Sequence, residues 1–176
     1  MSHLQLVPAT PDVAEELLRF ETVNRAFFES RINARPAAYY SPEGVRAALA
    51  LAVREAAEDK GYQFLIRGEA GELVGRVNLI GVRRAHFHCA DLGYRIGEAA
   101  CGRGIASEAV RLVLVKAFGE LRLLRLEAKA SATNPGSVRV LERNGFQQFG
   151  RSLRSFELDG VWHDRLHFER HAAAHA

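Results

Sequence analysis

Two glycines, Gly102 and Gly104, stand one residue apart between an apolar strand pattern and an apolar helix pattern. Glycine lets the backbone approach a ligand closely, and the first N–H groups of a helix have no partner within the helix. The helix dipole adds positive character at the same end, so this segment is suited to hold a phosphate or another anion. A dinucleotide-binding fingerprint would place a third glycine where Ser107 stands, and a Walker A loop would need Gly-Lys-Ser or Gly-Lys-Thr. The spacing therefore indicates an anion cradle of another type, or a plain strand-to-helix turn that glycine punctuates.

The glycine loop lies within a chain of alternating predicted strands and helices. Three segments predict helix starts, because each has a capping residue followed by proline: Thr10-Pro11-Asp12, Ser41-Pro42-Glu43 and Asn134-Pro135. A further helix is predicted over Ile105–Phe118. Strands are predicted at Leu4–Val7, Tyr62–Arg67, Leu73–Ile80, Phe87–Ile96, Arg122–Ala130, Phe146–Leu158 and Val161–Phe168. Antiparallel hairpins with one strand-helix-strand crossover predict an α/β fold with a mixed sheet.

The composition is that of an ordinary globular domain. The chain has 176 residues, 48% hydrophobic and 26% charged, which argues against disorder. The net charge of +3 is a small excess, so neither a nucleic-acid stripe nor a basic tail is expected. Cys89 and Cys101 are expected to be reduced thiols, and the absence of a signal-peptide pattern or a long apolar span predicts a cytoplasmic protein without a membrane segment. We expect one domain over residues 1–170 and a flexible tail at 171–176.

The glycine segment resembles motif A of the GNAT acyl-CoA N-acyltransferases, which is written Gln/Arg-x-x-Gly-x-Gly/Ala. Cys101 stands where Gln or Arg is usual. Further motifs follow in order at the spacing of that family, and the closing hairpin is similar to the subgroup that acetylates ribosomal-protein alanine and serine N-termini. These further motifs are Leu92-Gly93-Tyr94, Ala106-Ser107-Glu108-Ala109, Asn134-Pro135-Gly136-Ser137-Val138, Leu141-Glu142-Arg143-Asn144-Gly145-Phe146 and the hairpin Asp159–Asp164.

The resemblance implies a mixed, mostly antiparallel twisted sheet with flanking helices, in which two central parallel strands splay apart around acetyl-CoA. The splayed strands would be Phe87–Ile96 and Arg122–Ala130. One strand backbone would run beside the pantetheine arm, and the loop amides would hold the pyrophosphate. The implied cofactor-binding residues are Tyr94, Arg95, Ile96, Cys101, Gly102, Arg103, Gly104, Ile105, Ala106, Ser107 and Asn134.

Amide formation from a thioester needs a neutral amine, stabilisation of an oxyanion and a proton for the departing thiolate. The resemblance places the hydroxyl of Ser137 near the sulfur as the proton donor, whereas the plain alternative is that Ser137 only caps the helix opened at Asn134. Glu127, on the polar face of a predicted strand, is the first candidate for the general base. Its alternative role is an ion pair with Arg125 or Lys129. Glu157 and ordered water are the other candidates for the base.

Two competing chemistries receive less support from the pattern. An acetyl-cysteine intermediate on Cys101 is disfavoured because this residue would lie at the far end of the pantetheine arm. His163 and His167 lie on a predicted strand, where a spacing of four residues keeps their side chains far apart, and the next two histidines of that series fall in the predicted tail. No metal site is therefore expected. The histidines are His163, His167, His171 and His175 in one series and His86 and His88, beside Cys89, in another.

The resemblance therefore predicts an N-acetyltransferase that moves acetyl from acetyl-CoA to a primary amine, most readily a protein or peptide N-terminus. A small-molecule amine acetyltransferase for a polyamine, aminoglycoside or amino-acid-like substrate is one alternative, and an idle CoA-binding module is another. The run Glu15, Glu16 and Glu21 is too ordinary to indicate a polycationic substrate. The expected partners are acetyl-CoA and the amine acceptor, with a homodimer left open, and neither nucleic acid nor a membrane.

Overall fold

The computed structural model describes residues 4–173 and places seven strands in one sheet. The order across the sheet is β1-β2-β3-β4-β5-β7-β6. The strands are β1 Gln5–Pro8, β2 Gly61–Arg67, β3 Leu73–Arg83, β4 Cys89–Ile96, β5 Arg125–Ser131, β6 Gln147–Leu158 and β7 Val161–His171.

Strands β4 and β5 form a parallel pair, whereas every other neighbouring pair is antiparallel. Their pairing begins with Cys89 opposite Arg125 and ends with Leu92 opposite Ala128. Beyond that point the end of β4 pairs with β3 and the end of β5 pairs with β7, so the two strands part. The predicted mixed sheet with a splayed central parallel pair is confirmed.

Helices cover both faces of the sheet. They are α1 Ala14–Val23, α2 Arg25–Glu29, α3 Pro42–Ala57, α4 Ile105–Val115 and α5 Pro135–Arg143. Because side chains alternate along a strand, Leu65 of β2 packs with Leu17 and Leu49 under α1 and α3, while its neighbours Phe64 and Ile66 belong to the core under α4. In the described part of the chain, no helix is both long and apolar enough to cross a membrane.

Local signals fix most helix starts. The Ser41 hydroxyl accepts a hydrogen bond from the Gly44 N–H at 3.0 Å, which confirms the predicted cap of α3. The start predicted at Thr10 comes later, because Pro11–Val13 form a 3₁₀ turn before α1 begins. Helix α4 continues as a π-helical turn over Lys116–Glu120.

Several strand ends differ from the sequence prediction. Strand β3 continues to Arg83 and β7 to His171, while β4 and β5 begin later than predicted. The Ala172 N–H also donates to the Leu124 carbonyl at 2.8 Å, so the first residues of the predicted tail belong to the sheet. The rest of that tail, residues 174–176 with His175, lies outside the described residues.

Candidate functional site

A cavity of about 1030 Å³ opens where β4 and β5 part. Its wall is formed by the end of β4, the following loop and the first turn of α4, the end of β5, one side of α5 and the region of α2, together with side chains of β2 and β3. This volume is at the upper end of the range for small-molecule sites. The splay leaves one edge of β4, from Gly93 to Ile96, without a strand partner, so its backbone amides and carbonyls are available to an extended ligand.

The glycine loop is built as the sequence predicts for an anion cradle. Gly102 and Gly104 have φ angles of +74° and +79°, in the left-handed region that favours glycine. A Cβ atom at either position would meet no heavy atom within 4 Å, so the space beside the loop is open. Gly104 is the N-cap of α4, and Ile105, Ala106 and Ser107 of its first turn line the cavity. The unpaired amides of this turn therefore point to a site that fits a diphosphate.

Asn144 ties this loop to the opposite wall of the cavity. Its side-chain amide donates to the carbonyl and to the hydroxyl oxygen of Ser107, both at 3.1 Å, and to the Val140 carbonyl at 2.9 Å. Asn144 is buried, so these hydrogen bonds fix the end of α5 against the start of α4. Sequence analysis placed Asn144 within one of the family motifs but predicted no contact for its side chain.

The structure distinguishes between the two roles considered for Ser137, helix capping and proton donation, because Asn134 provides the cap. The Asn134 side chain accepts a hydrogen bond from the Ser137 N–H at 3.1 Å and thereby caps α5. The Ser137 hydroxyl instead lies 2.9 Å from the Tyr94 hydroxyl of β4, and all three residues line the cavity. Burial raises the pKa of Tyr94 to about 12, which keeps this phenol protonated at neutral pH. A pair of hydroxyl groups thus stands at the splay and can pass a proton.

Glu127 is not brought into the cavity. It lies on β5 opposite Asp91, one pair before the strands part. Its carboxylate contacts Arg125 at 2.9 Å and Arg83 at 4.0 Å, so it takes the alternative role of an ion-pair partner. Glu157 on β6 does not line the cavity either. The geometry therefore gives no support to either carboxylate as the general base.

The cavity lining is strongly basic. Its charged side chains are Arg31, Arg35, Arg76, Arg95, Lys129, Arg139 and Arg143, and within the described range 4–173 no Asp or Glu lines it. Arg139 and Arg143 are one helical turn apart on α5 and line the same cavity as the glycine loop. Arg103, predicted as a cofactor residue, lies apart against a smaller cavity beside the turn at 68–72.

Cys101 lines the cavity with its thiol within 3.5 Å of the Gly97 carbonyl. Burial raises the pKa of this thiol above its usual value, so it is not an activated thiolate. The described residues contain no group of three or more His, Cys, Asp or Glu side chains that could hold a metal ion.

Sequence reasoning missed most of the basic lining. The i, i+4 spacing of Arg139 and Arg143 after a predicted helix start was a usable signal. So was the alternation of Arg76 and Asn78 with Val77 and Leu79 on β3, because it indicates a polar face on a central strand.

Comparisons with known proteins agree with this geometry. The model of the acetyltransferase (GNAT) domain family matches residues 3–147. The probable N-acetyltransferase YjcK of Bacillus subtilis is 38% identical over 152 residues, which cover 86% of this chain and 84% of that protein. The chain therefore belongs to the GNAT family and is an acetyltransferase of that type, for which acetyl-CoA is the acyl donor.

Within this family the chain is related to ribosomal-protein acetyltransferases. The alanine N-acetyltransferase for ribosomal protein uS5 of Escherichia coli is 27% identical over 154 residues, covering 87% of this chain and 79% of that protein. The structure of Mycobacterium smegmatis RimJ in complex with CoA-disulfide superposes with a TM-score of 0.87 at 25% identity. It covers 96% of this chain and 82% of that chain.

Proposed function

We propose that this acetyltransferase modifies the α-amine of a protein or peptide N-terminus, with N-termini that begin with Ala or Ser as preferred acceptors. The observation that carries the proposal is the splay itself, where the Ser137–Tyr94 hydroxyl pair faces a cavity lined by no carboxylate within the described residues. The relation to the uS5 alanine acetyltransferase supports the same acceptor class.

The basic lining argues against polycationic acceptors. A polyamine or an aminoglycoside carries several positive charges at neutral pH and would meet Arg35, Arg95 and Lys129 at the cavity wall. The N-terminal α-amine of a peptide has a pKa of about 8, so roughly a tenth of it is neutral at pH 7. An ε-amine with a pKa of about 10.4 is neutral at pH 7 in only about one molecule in 2,500.

The residues of the chain then have separate tasks. When bound, acetyl-CoA supplies a thioester whose C–S bond breaks as the C–N bond of the new amide forms. The Ser137 hydroxyl donates a proton to the departing sulfur and regains one from water, which takes up the proton that the amine loses. Tyr94 holds that hydroxyl in place at 2.9 Å. The loop amides from Gly102 to Ser107 bind the diphosphate, and Arg139 and Arg143 supply positive charge beside it.

We propose that water, rather than Glu127, takes the proton that the amine loses. Glu127 is held by Arg125, and no other carboxylate reaches the described cavity wall. An α-amine needs only weak base assistance, because its pKa lies close to neutral pH.

A thiol-release assay with acetyl-CoA tests the acceptor. The panel contains peptides with free Ala or Ser N-termini, the same peptides with blocked N-termini, spermidine and an aminoglycoside. We expect turnover with the free peptides only. Turnover on spermidine or the aminoglycoside with silent peptides would favour the small-amine alternative, and silence on the whole panel would favour an idle CoA-binding module.

A further inference from the structure

We propose that Arg35, Arg76 and Arg95 form a subsite for a carboxylate that belongs to the amine acceptor. Preferred acceptor peptides would then carry an acidic side chain within the first residues after the reacting amine. This inference deepens the proposed function and rests on it, because it places the acceptor in the same cavity.

The subsite is built around Glu21 of α1, a carboxylate with no exposed surface. Arg76 approaches it at 2.6 Å, Arg95 at 3.2 Å and Arg35 at 3.5 Å. The Tyr39 hydroxyl adds a contact to the same carboxylate at 3.4 Å. Three guanidinium groups thus surround one carboxylate, which leaves an excess of two positive charges at the cavity wall.

These groups have more donors than the protein uses. Each guanidinium carries five N–H donors and no acceptor. Within the described part of the chain, their hydrogen bonds and ion pairs reach only Glu21, Tyr39 and Gln63. The Nε atoms of Arg35 and Arg76 are buried without a hydrogen-bond partner among these residues. Unpartnered buried donors carry a cost. The side chains of Arg35 and Arg95 are partly exposed, so their remaining donors are available to an anionic acceptor in the cavity.

Repulsion between the arginine side chains makes this cluster unfavourable if its only role is to stabilise the fold. Arg76 and Arg95 stand directly opposite each other on β3 and β4, and like charges in such pairs destabilise a sheet. Burial is the main cause that lowers the pKa of Arg95 from its ordinary value, and the charge of Arg35 adds to the effect. A second carboxylate would relieve this repulsion, and a ligand can supply it.

The cluster lies on the opposite face of the sheet from the proton-donating pair. Tyr94 points towards Ser137 and α5, so its neighbour Arg95 points towards α1 and Glu21. The cavity reaches both faces through the splay, because its lining includes Tyr94 and Ser137 on one face and Arg95 on the other. Arg95 is two residues beyond Gly93, or about 7 Å along the strand. A carboxylate bound there would lie within the length of a few residues from an amine at the splay.

This position also separates the cluster from the phosphate site. The diphosphate cradle is the loop before α4, with Arg139 and Arg143 on the α5 side. The cofactor can therefore occupy its own site while the three arginines remain available to the acceptor.

The test measures peptide binding to the CoA-loaded protein by calorimetry, which does not depend on turnover. The probes are matched peptides that begin Ser-Glu or Ser-Gln, and Ser-Ala-Glu or Ser-Ala-Gln. We expect the acidic member of at least one pair to bind about tenfold more tightly, equivalent to about 1.4 kcal/mol. Free serine and serinamide test whether an α-carboxylate can serve as the source instead.

Arg35→Met removes one guanidinium at the partly exposed rim of the cluster. We expect the acid-to-amide ratio, by which the affinity for the acidic peptide exceeds that for its amide counterpart, to be less than about threefold in this variant. Arg35→Lys should retain part of the ratio, because it keeps the charge. Arg25→Met is the matched control, since Arg25 lies nearby on α2, pairs with Glu29 and does not line the cavity. It should leave the ratio unchanged.

The outcomes distinguish the subsite from the proposed function. Equal binding of acidic and amide ligands, no binding of any probe, or an unchanged ratio in Arg35→Met would overturn the subsite. Equal binding of acidic and amide peptides, with turnover of both, would leave N-terminal acetylation standing while the subsite falls. Tight binding and turnover of free serine, without turnover of any peptide, would support the carboxylate subsite and reject a peptide as the acceptor.

Discussion

Replacing Glu21 with glutamine should destabilise the fold strongly. The side chain keeps its shape, but three guanidinium groups lose the shared counter-charge of a residue that has no exposed surface. Removing one partner of a buried ion pair costs about 3–5 kcal/mol. Because glutamine can still accept a hydrogen bond, we expect Glu21→Gln to cost about 3 kcal/mol, at the lower end of that range.

Thermal and urea unfolding measure this effect. For a domain of this size, about 3 kcal/mol corresponds to a decrease in Tm of roughly 6–12 °C. Glu58→Gln is the control, because Glu58 and its partner Lys60 are both more than half exposed, and it should shift Tm by no more than about 2 °C.

A second variant tests the cause. Arg35→Met in the Glu21→Gln background removes one uncompensated charge and should recover on the order of 1 kcal/mol, whereas the same change in the wild type should not stabilise the protein. If Glu21→Gln melts within about 2 °C of the wild type, the reasoning that this carboxylate holds the arginine cluster together is refuted.

Three further predictions concern the cavity. Ser137→Ala should lower turnover roughly ten- to a thousandfold and leave CoA affinity near the wild-type value, as steady-state kinetics and calorimetry would show; a collapse of affinity with normal turnover would make Ser137 a binding residue. Gly104→Glu should abolish the thermal shift caused by acetyl-CoA, while the control Gly71→Glu, at a turn with a similar φ of +80°, should keep it. Since the pKa of Tyr94 is raised to about 12, its contribution to stability is complete below about pH 10 and is lost as the pH rises through about 12. Urea unfolding across this pH window should therefore show a shallower decline for Tyr94→Phe, and identical slopes would contradict the assignment.

The parts of the site that the sequence could predict are those set by local chemistry. The glycine loop was visible because left-handed glycines and a helix start are short-range signals, and the structure has both at Gly102 and Gly104. The cap of α3 at Ser41 is local in the same way. The parallel pair followed from one crossover through a predicted helix.

The parts that sequence reasoning missed depend on distant contacts. Arg76 and Arg95 are 55 and 74 residues from Glu21 in the chain, so nothing near Glu21 marks it as the centre of a buried cluster. The alternation of apolar and polar residues correctly placed Glu127 on the polar face of a strand. It could not predict which side chains from other strands contact that carboxylate. Arg83 from another strand, together with Arg125, engages that carboxylate before the strands part.

One measurement tests acetyl transfer to an N-terminal α-amine most directly. A peptide that begins with Ser and contains one internal Lys is incubated with acetyl-CoA and the protein, and tandem mass spectrometry locates the acetyl group. We predict one acetyl group on the α-nitrogen, with an equal amount of free CoA thiol and roughly ten- to a thousandfold less of this product from Ser137→Ala on the same timescale. An acetyl group on the lysine ε-nitrogen, with the α-amine unmodified, would contradict transfer to the N-terminus.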